Sequence, residues 1–179
     1  IIDDLTSAIP DLPEQANFNM LASRSAAEAI LARVYLQMRD YGNALYYAEL
    51  VLAKPAYKLI DLKQYKATPN SYPNILNDTE EIFIKSLRNS FPTLSLNPEL
   101  LALFEPGDLR ATLFTVDGSV FTWSPFKGKA YNKHRIISAN GKVTSGPTLP
   151  ELMLITAEAL ARNNDRFTEA VAVLNTLRS

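Results

Sequence analysis

From Ser25 to Ala53 the apolar residues recur at the spacing of a helix face, with one break. Ala27, Ile30, Leu31, Val34 and Met38 fall on one side of the first half, with Tyr35 beside them; Glu28, Arg33 and Gln37 point elsewhere. Ser25 and Glu28 form an S-x-x-E capping box, which satisfies two of the orphan amides of a helix start. The break is Arg39-Asp40-Tyr41-Gly42, where Asp40 can cap a second helix. That helix buries Tyr41, Ala44, Leu45, Ala48, Val51 and Leu52 and stops before Pro55. Two helices joined by so short a turn predict an antiparallel αα-hairpin. A shorter helical pattern, Ile1, Leu5, Ala8 and Ile9, precedes it and ends at Pro10. Asp3 and Asp4 lie in its first turn, where the helix dipole favours carboxylates.

Between Lys54 and Pro150 the helical period is lost. YKLIDLKQYKA and PNSYPN read as irregular loop. Glu81, Phe83 and Lys85 alternate with Ile82, Ile84 and Ser86, which predicts a short strand. NPELLALF predicts a short helix with Asn97 as cap and Pro98 at its first position. Asp117-Gly118 lies between two β-rich runs in LFTVDGSVFTW, a hairpin signal; Asn140-Gly141 repeats it in YNKHRIISANGKV. From Pro150 the helical period returns. ELMLITAEALAR is followed by the turn NNDR and then by FTEAVAVLNTLR.

The two helical pairs can be laid over one another. Ala32 and Tyr35 followed by Tyr41, Ala44 and Ala48 match Ala157 and Leu160 followed by Phe167, Ala170 and Leu174, with one extra residue in the second turn. This is the tetratricopeptide pattern. Its physical cause is close approach, because alanine at the crossing lets two backbones come nearer than larger side chains allow. Ala32 and Ala157 are 125 positions apart, whereas a plain solenoid repeats every ~34 residues. The fold expected is therefore mainly α. Tetratricopeptide-like hairpins at about 1–53 and 150–179 flank a loop-rich region at about 54–149 with short β-hairpins.

Composition narrows the function. At 179 residues and 47% hydrophobic the chain is long enough for one domain with a genuine core. Its net charge of −1 and the lack of clustered basic residues argue against nucleic acid, which needs concentrated positive charge. No apolar run is long enough to span a bilayer. The absence of cysteine excludes disulfides, thiolate metal sites and cysteine nucleophiles. His134 is the only histidine, and no partners stand at metal-ligand or triad spacing. Glu80-Glu81 reads as a solvated strand start rather than a catalytic pair, because neighbours on a strand face opposite ways. Asp117-Gly118 reads as a turn rather than a calcium ligand. No catalytic residue, metal site or cofactor is expected.

Read in order, DLTSAIPDLP, the Ala-rich hairpin with its Arg39-Asp40-Tyr41 turn, EEIFIKS, the segment Leu96 to Arg110, and the ending LITAEA…LNTLR resemble a known family. It is the SusD/RagB family of outer-membrane nutrient-binding lipoproteins of Bacteroidota, and the resemblance covers nearly the whole chain. It implies tetratricopeptide helices set against a SusC-like TonB-dependent transporter and decorated by a variable loop-and-strand region. It also implies a surface location on the outer membrane, uptake of glycans or peptides, and no enzymatic activity. The family's lipobox cysteine and longer N-terminal region are not in this sequence. The expectation is a fragment or internal domain, with membrane attachment only through a lipid anchor that this chain lacks.

Sugar rings stack on flat apolar faces, so aromatic residues in the loop-rich region are the ligand candidates. Trp123, the only tryptophan, follows Asp117-Gly118, with Phe121 and Phe126 close by and Tyr131 further on. On a strand Phe121 and Trp123 share a face. Two readings stand: an aromatic platform for a glycan, or packing that closes the region onto the helices. Tyr72, in the PNSYPN loop, is a further candidate. Tyr46 and Tyr47 suit contact with a transporter or another helix. The competing class of function is a tetratricopeptide scaffold that binds peptide in a helical groove. A glycoside hydrolase is disfavoured for want of a carboxylate pair.

Overall fold

The computed structural model describes residues 1–66, 68, 71–73, 75–85, 95–122, 125–133, 146–163 and 166–178. Its elements are α1 (Ile2–Ala8), α2 (Arg24–Gln37), α3 (Tyr41–Leu52), α4 (Pro98–Ala102), α5 (Leu109–Leu113), β1 (Thr115–Asp117), β2 (Lys129–Tyr131), α6 (Leu149–Arg162) and α7 (Phe167–Arg178). The architecture is mainly helical and tetratricopeptide-like, with one small antiparallel sheet among the described residues. The chain divides into two units. One comprises Ile1–Ile60, Leu76–Lys85 and Gly146–Ser179; the other comprises Asp61–Ile75 and Ser86–Ser145.

In the first unit α2 and α3 form the expected hairpin. Asp40 caps α3, its Oδ1 accepting from the Asn43 N–H at 3.1 Å. Arg39 takes the left-handed conformation, φ 63°, that turns the chain between the helices. Ala29, Ala32, Ala44 and Ala48 are each 0% exposed and meet Val51, Ile82, Leu152 and Ile155 in one core. The alanines are thus the seam between helices, where small side chains permit an interaxial distance near the lower end of ~8–10 Å. The second pair, α6 and α7, has its own seam of Leu45, Ala159, Leu160 and Ala170. Leu45 belongs to α3, and α3 packs directly on α6. The repeat that is interrupted along the sequence is therefore continuous in space, from α1 through α2 and α3 to α6 and α7.

Three expectations for the first hairpin of this unit are corrected. The cap of α2 is Ser23, not Ser25: Ser23 Oγ accepts from the Ala26 N–H at 3.1 Å, and the helix begins at Arg24. Ser25 lies inside the helix and donates instead to the Glu14 carbonyl at 3.0 Å. Glu28 does not point away but is buried, drawn to the Lys54 ammonium at 2.6 Å. Met38, past the end of α2, is 61% exposed rather than packed.

The segment Glu80–Ile84 is pinned rather than paired in a full strand. Glu81 forms an isolated antiparallel bridge with Thr148, and the Ile84 N–H donates to the Asn19 carbonyl at 2.8 Å. Ile82 and Ile84 are buried as the alternation predicts. Glu80 and Glu81 are buried too, each 5% exposed, so the solvated reading fails. Glu80 Oε1 accepts the Ile60 N–H at 3.0 Å, which makes it an anchor for the chain. Gly146 passes so close that a Cβ there would lie 1.5 Å from the Phe83 carbonyl oxygen. Only glycine fits.

Candidate functional site

In the second unit, capping side chains set the local geometry. Asn97 caps α4, its Oδ1 accepting from the Glu99 N–H at 2.9 Å, with Pro98 at the first turn as expected. Asp108 caps α5 and also holds the Arg110 guanidinium at 2.7 and 3.0 Å, which keeps that guanidinium above its ordinary pKa. Arg110 in turn lies over the Phe104 ring, 6.0 Å from its centroid. The Asp-x-Arg that marks this stretch is thus a scaffold device.

α5 delivers Phe114 and then β1. The partner of β1 is β2, in the register Thr115↔Tyr131, Val116↔Ala130 and Asp117↔Lys129. The expected tight turn at Asp117-Gly118 is not formed. Asp117 Oδ1 accepts from the Ser119 N–H at 2.9 Å and its hydroxyl at 2.6 Å, which starts a 3-10 turn, Gly118–Val120. These bonds hold the Asp117 carboxyl below the usual carboxylate range, helped by Lys129 across the sheet. The chain then makes an eleven-residue excursion before β2. It returns over Gly118, whose Cβ, if present, would lie 2.5 Å from the Phe126 carbonyl oxygen and 2.7 Å from its ring. Phe121 therefore follows a 3-10 turn and is not on a strand.

Of the aromatic candidates, Trp123 lies outside the described residues, as do His134 and Asn140-Gly141. Phe121 is half-buried and stacks on Phe126, with centroids 6.2 Å apart and planes at 10°. Tyr72 is buried, 6% exposed, and Tyr131 is 45% exposed. Phe114 joins these last two. Its ring meets Tyr72 at 5.7 Å and 87° and Tyr131 at 6.4 Å and 75°, while Tyr65 lies 5.3 Å from Tyr72. Edge-to-face pairs of this kind contribute ~0.5–1.5 kcal/mol each beyond area burial. The buried Lys133 ammonium caps the assembly, 5.5 Å from the Tyr72 centroid and 5.8 Å from that of Phe114. The result is an aromatic row with Tyr72 buried within it and Tyr131 at the solvent-facing end. The sequence reading missed Phe114, Tyr65 and Lys133, because their contacts span from seven to 61 residues and follow no period.

The helical unit offers a different kind of space. A hollow of about 140 Å³ there is lined by polar groups including Asn19, Ser23, Asp78 and Glu81. Sites for drug-sized ligands run from ~300 Å³ upward, so the hollow is too small for an oligosaccharide. Among the described residues no cluster of three or more histidine, cysteine or acidic side chains is arranged to hold a metal ion.

No family model matches the chain, and no curated protein matches its sequence. Solved structures do. A SusD superfamily protein of Bacteroides thetaiotaomicron superposes with a TM-score of 0.70 at 22% identity, covering 98% of this chain and 44% of that one. A SusD-like carbohydrate-binding protein of Bacteroides vulgatus gives 0.70 at 24% identity, covering 99% and 41%. Surface glycan-binding protein A of Bacteroides thetaiotaomicron, in complex with laminarihexaose, gives 0.69 at 15% identity, covering 98% and 52%. The chain thus spans about half the length of these neighbours or less. Its interrupted pair of helical hairpins, joined in space, and its loop-rich unit have the SusD-like fold.

Proposed function

We propose that this chain is the nutrient-capturing part of a SusD-like surface protein and that its ligand is a glycan. The observation that carries the reading is the row Tyr72–Phe114–Tyr131, in a chain whose structural neighbours include a protein bound to laminarihexaose. A packed aromatic row, buried at Tyr72, holds one exposed ring in a fixed orientation, which lowers the ordering cost of stacking a sugar on it. Capture involves no bond making, no cofactor and no metal. The glycan is handed to a SusC-like TonB-dependent transporter at the outer-membrane surface, where the whole protein is held by a lipid anchor.

Phe121 and Trp123 are further ligand candidates in this reading. Isothermal titration of the chain against a panel of oligosaccharides tests it, with Trp123→Ala alongside. The expected result is saturable binding of at least one glycan, lost in Trp123→Ala with the melting temperature kept. Equal loss of stability marks Trp123 as a packing residue. Binding of peptides and of no glycan overturns the reading. That outcome favours the scaffold alternative, for which the exposed Phe167, Val171 and Leu174 on one side of α7 supply a surface.

A further inference from the structure

The β1–β2 register sorts its side chains onto two faces. Val116 and Ala130, 6% and 0% exposed, lie on the buried one. Thr115, Asp117, Lys129 and Tyr131 share the other, because directly opposed residues in an antiparallel pair project to the same side. On that face α5 covers Thr115, whose hydroxyl donates to the Ala111 carbonyl. Asp117, Lys129 and Tyr131 remain exposed. The open part of the face is therefore one aromatic ring beside one carboxylate and one ammonium.

Resting on the glycan reading above, we propose that this face is a subsite for a single neutral sugar ring. Tyr131 supplies the stacking surface, and Asp117 and Lys129 bond the ring hydroxyls. The spacing suits one ring. Lys129 and Tyr131 are two residues apart on one strand, roughly 6.5–7 Å, and Asp117 stands beside Lys129 at a directly opposed position. The orientation of Tyr131 is set from behind by Phe114 and the buried Tyr72. The chemistry suits hydroxyls. A sugar hydroxyl both donates and accepts, and the face offers an acceptor-only carboxylate and a donor-only ammonium side by side. Asp117 keeps its negative charge because Ser119 and Lys129 stabilise it. The opposed charges nearly cancel at a distance, so a neutral ring bonds to both groups. A uronate ring meets a fixed carboxylate and gains only the ammonium, a like-charge contact of the kind that enforces selectivity.

The experiment is titration of the full chain with laminarihexaose, other neutral oligosaccharides and oligogalacturonate. The variants are Tyr131→Ala, Lys129→Gln and Asp117→Asn, with Met38→Ala, at an exposed position in the helical unit, as control and melting curves for all. Asparagine preserves the acceptor for the Ser119 amide, so Asp117→Asn keeps the turn. Expected are neutral glycans bound at least about tenfold more tightly than oligogalacturonate, a loss of about tenfold in Tyr131→Ala, and a neutral-to-uronate ratio that narrows in Asp117→Asn. The control is unchanged. If Tyr131→Ala does not fold, the two charge variants carry the test, since both positions are exposed. Glycan binding that none of the three substitutions alters overturns the subsite and leaves the glycan reading standing. Tighter binding of the uronate by the parent chain overturns the neutral-ring assignment. No glycan binding at all removes both.

Discussion

Lys54→Met probes how the helical unit is fastened at the end of its first hairpin. The Lys54 ammonium donates to Glu28 Oε2 at 2.6 Å, Glu14 Oε1 at 2.8 Å and Ser25 Oγ at 3.0 Å. The side chains of Lys54 and Glu28 are 17% and 7% exposed, whereas Glu14 is 57% exposed. The three contacts therefore differ in worth. Replacing Glu14 by glutamine removes an exposed ion pair, at a cost of ~0–1 kcal/mol. Removing Lys54 leaves the Glu28 carboxylate buried without its counter-charge, at a cost of about 3 kcal/mol, the low end for such a site. In a chain of this size that lowers the melting temperature by roughly 6–12 °C. Methionine keeps most of the side-chain volume, so the loss reports charge and not a cavity. Glu28→Leu in the Lys54→Met background restores at least about half of the loss, because two apolar side chains leave no buried charge behind. Urea denaturation followed by circular dichroism on the four corners of the double-mutant cycle gives the coupling term. A Lys54→Met variant within about 1 kcal/mol of the parent refutes the reasoning, as does a double variant no more stable than the single one.

Burial alone would lower the Lys54 pKa, but the hydrogen bonds it donates to Glu14 and Glu28 outweigh that and hold the ammonium above its ordinary value. A raised folded-state pKa contributes stability that is complete below the unfolded value of ~10.4 and is lost as pH rises through the folded one. Melting curves between about pH 9 and 12 should fall more steeply for the parent than for Lys54→Met. Ala48→Leu forces a larger side chain into a seam that is 0% exposed and should cost ~1–3 kcal/mol by chemical denaturation. Gly146→Ala puts a Cβ 1.5 Å from the Phe83 carbonyl oxygen, and both backbones must move. It should cost about 3 kcal/mol or more, read as a lost or broadened thermal transition.

The helical half of the fold is legible because its signals are local. Asp40 is a cap three residues from the amide it accepts, and Ala44 and Ala48 are one turn apart. Where another group competes for the same side chain, a local rule fails. Ser25-x-x-Glu28 has the form of a capping box, but Lys54, 26 residues on, takes the glutamate, and Ser23 does the capping. Asp117-Gly118 has the form of a hairpin turn, but Ser119 diverts the carboxylate into a 3-10 turn and the pairing strand waits until Lys129. The candidate site shows the same division. Tyr131 and Phe121 can be named from composition and spacing, yet nothing in the sequence distinguishes the exposed Tyr131 from the buried Tyr72, both of which contact Phe114.

By itself the sequence determined the four helices of the two hairpins, the caps Asp40 and Asn97, and the buried alanines Ala32, Ala44 and Ala170, because each depends on residues within two turns of one another. Tertiary structure decided that the two hairpins stack on each other through α3 and α6, that Glu28, Glu80 and Glu81 are buried, and that one tyrosine of the aromatic row faces solvent. Those outcomes are set by which distant groups compete for the same space and the same hydrogen bonds. That competition is settled only when the whole chain is folded.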